Sequence, residues 1–330
     1  MNSPACGGSL QALPLSPPLA GEKMILERHA KSTLTAVELV HGDTLEFTLR
    51  DGNRVPVELV DTRAEIVHTT LKEPGKQEPG ATTVYRFSAD VRIDGADLCM
   101  EREVGTQASF YEPLECDGVR IWLDAVDAIF DFMQETHSPC RLQENCKHNA
   151  PPRRQARLAL QDASLRVCPE TVHPWCPLPA GGLRVEDCYR GEDCWMGAYD
   201  GASAHGGLDI NHPRGTPLCA PINLDDHFLY NSTKMGHNNN RWRGIRQWGD
   251  HTTWILTSCH MTHLTVPEHT PLPAGMQYAE GAGVWVGVAE HSHFGFAVLD
   301  HGELIRLDPW ILFWQMYRDQ AANKTAGGDA

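Results

Sequence analysis

The sequence lacks the features that would place it across a membrane or on a nucleic acid. No uninterrupted apolar run reaches the roughly 18–20 residues that a membrane-spanning helix needs, and residues 1–25 contain no basic start followed by an apolar stretch. Lys and Arg number 28 against 43 Asp and Glu, and no basic cluster offsets the formal net charge of −15. We therefore expect no transmembrane segment and no nucleic-acid partner.

Paired Cys-x-x-Cys knuckles of a structural zinc site are also missing, although the chain contains eleven cysteines. Most of these are close neighbours in sequence, which suggests the pairs Cys99/Cys116, Cys140/Cys146, Cys168/Cys176, Cys188/Cys194 and, more distantly, Cys219/Cys259. Such usage predicts disulfide bonds in an exported protein of the periplasm or cell envelope. The alternative is a cytosolic protein with scattered reduced thiols, and the connectivity stays open.

The hydrophobic pattern predicts an all-β protein with two antiparallel β-rich parts. Short alternating runs such as Thr44–Arg50 and Thr83–Phe87 are separated by turn sequences such as Asp51-Gly52-Asn53. Residues 134–195 are dense in Cys, Pro, Asn and charge and show little periodicity outside Arg153–Leu165, which is typical of a stapled connector or of an embellishment of either domain. The predicted order is a flexible leader (1–25), a β-rich accessory domain (26–133), a Cys-rich connector (134–195), a second β-sheet domain (196–318) and a flexible tail (319–330).

Histidine is concentrated in the second β-sheet domain, since eleven of the 17 histidines lie beyond Met196. In His205-Gly-Gly-Leu-Asp209 the two glycines argue against a helix, and on a strand the even spacing puts both side chains on one face. An imidazole and a carboxylate that converge in this way are good zinc ligands. The alternative is an ordinary pair of polar surface residues.

Two further segments carry histidines at useful spacings. His291 and His293 lie two apart and lead into alternating aromatic and aliphatic residues, so they would share one face of a strand. The segment Thr253–Val266 is apolar and β-branched, with His260 and His263 near its end, where a strand could support a catalytic group. The alternatives are a polar strand face and a histidine packed at a sheet rim.

In this order, the three segments resemble the lysostaphin/LytM-type zinc metalloendopeptidases, over roughly residues 196–315. His205-Gly-Gly-Leu-Asp209 resembles the HxxxD element of that family, Met261-Thr-His263-Leu264-Thr265 its aromatic-x-His-Leu-Ser strand end, and His291-Ser-His293-Phe294 its closing H-x-H-F motif. The resemblance implies a duplicated hybrid motif fold, in which an antiparallel β-sheet carries a zinc groove.

The resemblance also implies residue roles. His205, Asp209 and His293 would hold Zn²⁺ and leave a position open for water, while His263 and His291 would act as catalytic residues beside it. His263 is preferred to His260 because it directly precedes Leu264-Thr265, as the family pattern requires. Three residues apart on a regular strand, the two histidines have opposite parity and do not both face the metal.

The function implied is zinc-dependent endopeptidase hydrolysis of peptide bonds in the stems or cross-bridges of bacterial cell-wall peptidoglycan. One alternative is a non-cleaving, metal-binding domain that recognises wall peptides or regulates a hydrolase. Another is a secreted His-rich metal scavenger, which explains the number of histidines but not the order of the motifs. Zinc stoichiometry measured together with peptidoglycan hydrolysis would separate the three.

Cys6 remains as the odd cysteine if the other ten pair. The surrounding Ser3-Pro-Ala-Cys6-Gly-Gly8 resembles the end of a bacterial lipoprotein signal, although the preceding apolar run is absent. Two interpretations stay open here, a lipid anchor at Cys6 and an ordinary thiol in the leader.

Overall fold

A computed structural model of the chain describes residues 23–70, 83–104, 109–129, 152–178, 182–184, 187, 198–199, 203–204, 206–231, 240–283, 285–286 and 289–326. The candidate ligand His205 and the candidate anchor Cys6 lie outside these residues, as do Cys140, Cys146, Cys188 and Cys194. No helix within the described ranges is long and apolar enough to cross a membrane.

The described residues confirm the prediction of a mainly antiparallel all-β protein. In the N-terminal half the strands are β1 (Ile25–His29), β2 (Thr35–Leu39), β3 (Thr44–Thr48), β4 (Arg54–Thr69), β5 (Thr83–Ile93), β6 (Ala96–Val104), β7 (Leu114–Cys116), β8 (Val119–Val126) and β9 (Ala156–Asp162). The C-terminal half contains β10 (Ala198–Tyr199), β11 (Ser203–Ala204), β12 (Leu208–Asn211), β13 (Pro217–Cys219), β14 (Asp226–Asn231), β15 (Asn240–Gln247), β16 (Thr253–Met261), β17 (Gln277–Glu280), β18 (Trp285–Val286), β19 (Ala289–Asp300), β20 (Glu303–Leu307) and the helix α1 (Trp310–Ala326).

Two sheets form the N-terminal half. The first has the strand order β1-β3-β4-β5-β6, with β1 parallel to β3 and the other neighbours antiparallel. The second is antiparallel, has the order β2-β9-β8-β7, and packs through β8 against β4, β5 and β6. The alternating burial of β3 matches the period-2 pattern of its sequence, because one face covers the core and the other faces away from it.

A seven-stranded sheet supports the C-terminal half. Its main path is β12-β19-β16-β15-β14, and β18 and β20 also pair with β19. The long strand β19 is therefore central, and it pairs directly with β12, β16, β18 and β20. This arrangement brings the HxxxD segment on β12 next to the H-x-H segment on β19.

One hydrophobic core runs through both halves. Trp175 stacks on Phe294 of β19, with 5.1 Å between ring centroids, and lies 5.3 Å from Phe313 of α1. Trp122 of β8 meets Trp314 of α1 edge to face at 5.4 Å. Aromatic contacts thus join the N-terminal sheets to the C-terminal sheet and helix.

Part of the segment predicted as a Cys-rich connector forms a strand. Residues 156–162 form β9, which lies between β2 and β8 inside the second N-terminal sheet. All seven residues of β9 are buried, so both faces of the strand are covered. β9 therefore pairs with strands on the N-terminal side of the boundary predicted at residue 133.

The predicted flexible tail also needs correction, because α1 continues from Trp310 to Ala326. Its first turns carry the buried residues Ile311, Leu312, Phe313 and Met316, which anchor the helix in the shared core. Packing of these side chains, and not local propensity alone, accounts for helix formation here.

The disulfide prediction is not met in the described residues, where Cys99, Cys116, Cys168, Cys176, Cys219 and Cys259 are free thiols. Two of the predicted pairs would join different sheets. β6 with Cys99 and β7 with Cys116 belong to different sheets, and so do β13 with Cys219 and β16 with Cys259.

Candidate functional site

The site begins where β12 emerges from two glycines. A Cβ atom added at Gly207 would lie 2.4 Å from both His293 Nε2 and the Phe294 carbonyl oxygen, so a larger residue does not fit without a shift. The glycine lets β12 approach β19 closely, and the register then sets Asp209 directly opposite His293. Directly paired residues of antiparallel strands share a face, so the carboxylate and the imidazole meet.

Asp209 contacts both histidines of the H-x-H segment. His293 Nδ1 lies 2.8 Å from Asp209 Oδ1, and His291 Nε2 lies 3.3 Å from Asp209 Oδ2. The side chains of Asp209 and His291 are only 4% and 3% exposed, whereas that of His293 is 20% exposed. The group is therefore buried on the β12 side and reachable by solvent at His293.

His260 is the third histidine of this group. Its ring centroid lies 4.9 Å from that of His291, with an interplanar angle of 81°. Burial lowers the pKa of His260 to about 3; the charge of Asp209 opposes this change, and His291, His293 and Arg241 reinforce it. The described part of the chain thus brings Asp209, His260, His291 and His293 together.

His260 reaches the group because it is the extra residue of a β-bulge. Asn240 pairs with Met261 and Arg241 with Cys259, so His260 has no partner of its own on β15. Its φ of 62° lies in the left-handed region, which is uncommon for a residue with a side chain. The bulge interrupts strand parity at this point.

His263 lies elsewhere. Its side chain is exposed, and it comes two residues after β16 ends at Met261. The preference for His263 follows from the family pattern, in which the histidine directly precedes Leu264-Thr265, and regular alternation excludes only that both histidines face the metal. The bulge breaks that alternation, and the described residues bring His260 to His291. The irregular backbone at a strand end is not visible in the sequence pattern.

The donor chemistry of the group suits zinc, which takes imidazole nitrogen and carboxylate oxygen as ligands. Asp209 and His293, two of the three predicted ligands, lie in contact, and the third, His205, comes directly before Gly206 and lies outside the described residues. Among the described residues alone, no group of three or more His, Cys, Asp or Glu side chains has the arrangement of a metal site. The chemistry of the Asp209 and His293 side chains fits zinc.

Sequence reasoning missed the cationic surroundings of the site. Arg241 of β15 and Arg306 of β20 lie close enough to Cys259 to oppose the rise of its pKa, which burial brings to about 11. Arg243 lies over the ring of Tyr230, at 4.9 Å from Cζ to the ring centroid. Arg241 and Arg306 are 65 residues apart in sequence, and only the order of the strands brings them together.

No protein-family model matches the chain, and no curated protein matches it significantly. Among solved structures, the chain is similar to lysostaphin from Staphylococcus simulans. Its catalytic domain matches at 18% identity over 38% of this chain and 77% of that chain, with a TM-score of 0.25. Of a longer lysostaphin structure the chain covers 50%.

Two other similar structures are matched over more of this chain. A Pseudomonas aeruginosa protein assigned to peptidase family M23 matches at 16% identity, over 86% of this chain and 94% of that one, with a TM-score of 0.28. A zinc-containing peptidase from Vibrio cholerae matches at 10% identity, over 77% of this chain and 84% of that one, with a TM-score of 0.30. At these values the likenesses carry no residue roles to this chain.

Proposed function

We propose that the C-terminal half is a zinc-dependent endopeptidase that hydrolyses peptide bonds in bacterial peptidoglycan. The observation that carries the proposal is the contact of Asp209 with both His291 and His293, with His260 beside them. Burial of so many polar groups at one point costs free energy unless something compensates for it, and catalytic sites are where such costs are retained.

The metal would be held by His205, Asp209 and His293. When bound, zinc supplies Lewis acidity toward a peptide carbonyl and lowers the pKa of water toward about 7. The His293 side chain is 20% exposed, against 4% for Asp209 and 3% for His291, so a substrate can approach the site from the side of His293. Asp209 is buried, and its second oxygen holds His291 in position.

His291 and His260 are the candidates for catalytic residues beside the metal. Their rings meet edge to face, and His291 contacts the Asp209 carboxylate. The imidazole of His291 can take a proton from the attacking water and pass it to the leaving amine. In place of His263, we assign to His260 a hydrogen bond to the developing oxyanion, because burial lowers its pKa and keeps its imidazole neutral.

Peptidoglycan is proposed as the substrate because the order of the motifs resembles the lysostaphin/LytM-type enzymes. The substrate would be met outside the cytoplasm, in the periplasm or cell envelope. The free thiols of the described residues supply no support for export, so the proposed location rests on the substrate alone.

One experiment tests the function as a whole. The full chain is purified, its zinc content is measured by elemental analysis, and the release of new amino groups from purified peptidoglycan is followed. We expect about one zinc per chain, and hydrolysis that a chelator stops and added Zn²⁺ restores. Zinc binding without hydrolysis would favour the non-cleaving alternative, and the absence of both would refute the proposal.

A further inference from the structure

Three arginines share a sheet face with the candidate metal ligands. Across the sheet, the register aligns Asp209 of β12, His293 of β19, Cys259 of β16 and Arg241 of β15 in one row. Because directly paired residues in antiparallel strands point to the same face, Arg241 lies on the face that carries His293. Two spacings between neighbouring strands, about 10 Å in all, separate the backbones of Arg241 and His293.

The next rows of the same face carry the other two arginines. Arg243 is aligned with Thr257 and Gly295, and Arg306 is aligned with Ala297. A Cβ added at Gly295 would lie 2.3 Å from Thr257 Oγ1, so a side chain at this position does not fit without a shift. Only small residues of β16 and β19 therefore lie between Arg243 of β15 and Arg306 of β20.

Arg241 and Arg243 differ from arginines of the N-terminal sheets in their ion pairing. Arginines of the N-terminal sheets, such as Arg63, Arg86 and Arg92, form salt bridges with carboxylates at 2.6–2.9 Å. Arg241 and Arg243 form no salt bridge with any residue in the described part of the chain. In a protein of net charge −15, two neighbouring arginines that have no acidic partner among the described residues form a local concentration of positive charge.

Arg243 also has unused hydrogen-bonding capacity. Its Nε atom is buried and has no hydrogen-bond partner, while its guanidinium lies over the Tyr230 ring. A buried donor without a partner costs free energy that a ligand can recover. A planar guanidinium that stacks on a ring keeps its edge available for a carboxylate.

We propose that Arg241, Arg243 and Arg306 form an anion subsite that binds a carboxylate of the peptide substrate. The inference rests on the proposed function and adds a determinant of specificity to it. The distance of about 10 Å between Arg241 and His293 corresponds to roughly three residues of extended peptide. The recognised carboxylate would therefore lie about three residues from the bond that is cleaved. Peptidoglycan stem peptides carry such carboxylates.

The test uses two forms of one substrate. Purified peptidoglycan is compared with the same material after its free carboxyl groups have been converted to carboxamides, and binding of the full-length chain is measured by co-sedimentation. Charge-assisted hydrogen bonds to arginine predict that the wild type binds the untreated material about tenfold more tightly. Equal binding to the two forms, or binding to neither, would overturn the subsite.

Variants assign the effect to the arginines. The double variant Arg241→Gln/Arg243→Gln is expected to lose the preference for untreated peptidoglycan, and Arg243→Lys to keep part of it, since lysine retains the charge but not the planar fork. The double variant Arg50→Gln/Arg54→Gln is the control, because both arginines are exposed in the N-terminal half and their replacement removes the same two charges. Its preference should equal that of the wild type, and an Arg241→Gln/Arg243→Gln variant that keeps the full preference would refute the assignment.

The outcome is separable from that of the proposed function. Release of amino groups from the two materials reports hydrolysis, whereas co-sedimentation reports binding. A preference for untreated peptidoglycan without any hydrolysis would leave the subsite standing and refute the peptidase. Equal binding with normal hydrolysis would refute the subsite and leave the peptidase.

Discussion

The exposed face of the first N-terminal sheet and the histidine group of the seven-stranded C-terminal sheet treat polar side chains in opposite ways. On the N-terminal sheet, Arg63 and Asp90 form a salt bridge at 2.6 Å with their side chains 51% and 35% exposed. On the C-terminal sheet, Asp209 and His291 meet at 3.3 Å with only 4% and 3% exposed. Exposed pairs contribute little to stability and keep a surface soluble, while buried polar groups cost free energy.

The comparison teaches where to look for function. Both sheets are antiparallel in most of their pairings and both contribute to one core, so architecture does not distinguish them. The distinction lies in whether polar groups are paired at the surface or gathered in the interior. The following experiments test that distinction, from the largest expected effect to the smallest.

Asp209→Ala should produce the largest effect. It removes a proposed zinc ligand and the only carboxylate that contacts His291 and His293 in the described group. We expect loss of zinc by elemental analysis and a decrease in peptidoglycan hydrolysis of at least about a thousandfold. Asp90→Ala is the matched control on the N-terminal sheet and should keep both. Full zinc occupancy in Asp209→Ala would remove Asp209 from the ligand set.

His260→Ala should decrease turnover by about a hundredfold to a thousandfold and leave zinc bound, because it removes a proposed hydrogen-bond donor to the oxyanion and no ligand. His263→Ala is the matched control, since it lies three residues away and is exposed. It should hydrolyse peptidoglycan at nearly the wild-type rate. If His263→Ala were inactive and His260→Ala active, the two assignments would have to be exchanged.

Arg102→Met should destabilise the junction between the halves. Arg102 of β6 is fully buried, and it forms a salt bridge with Asp308, which follows β20, at 2.8 Å. It also donates a hydrogen bond to the Asp124 carbonyl oxygen at 3.0 Å. Removal leaves Asp308 buried without its cation, which costs about 3–5 kcal/mol. Urea unfolding measures the loss; a change below about 1 kcal/mol would contradict the role of this pair.

Arg63→Gln should have the smallest effect, about 0.2–1 kcal/mol at neutral pH, since the pair with Asp90 is exposed. The Arg63 side chain holds the pKa of Asp90 below its ordinary value of 3.8 through a hydrogen bond. A lowered carboxyl pKa stabilises the fold above pH 3.8, and the contribution disappears as pH falls through the folded-state value. Unfolding of wild type and variant should therefore converge in acid. A difference that persisted at low pH would show that Arg63 acts through packing.

The alternation of hydrophobic and polar residues along the sequence did not predict several parts of the fold. β3 alternates between buried and half-buried residues and was predicted, whereas β9 is buried on both faces and was assigned to a connector. The predicted pairs between described cysteines are not formed either. Neighbours along the chain such as Cys99 and Cys116 end on strands of different sheets, and pairing of strands is a long-range property.

The sequence by itself determined the all-β class and the spacing of Asp209, His291 and His293, because the two-residue repeat of a strand decides which side chains share a face. Only the tertiary structure decided that β12 and β19 are neighbours, that a bulge turns His260 toward His291, and that Arg241, Arg243 and Arg306 meet on one face. Those features depend on strand order and on a local break in the ladder. Both arise from packing between segments distant in sequence, which local patterns do not encode.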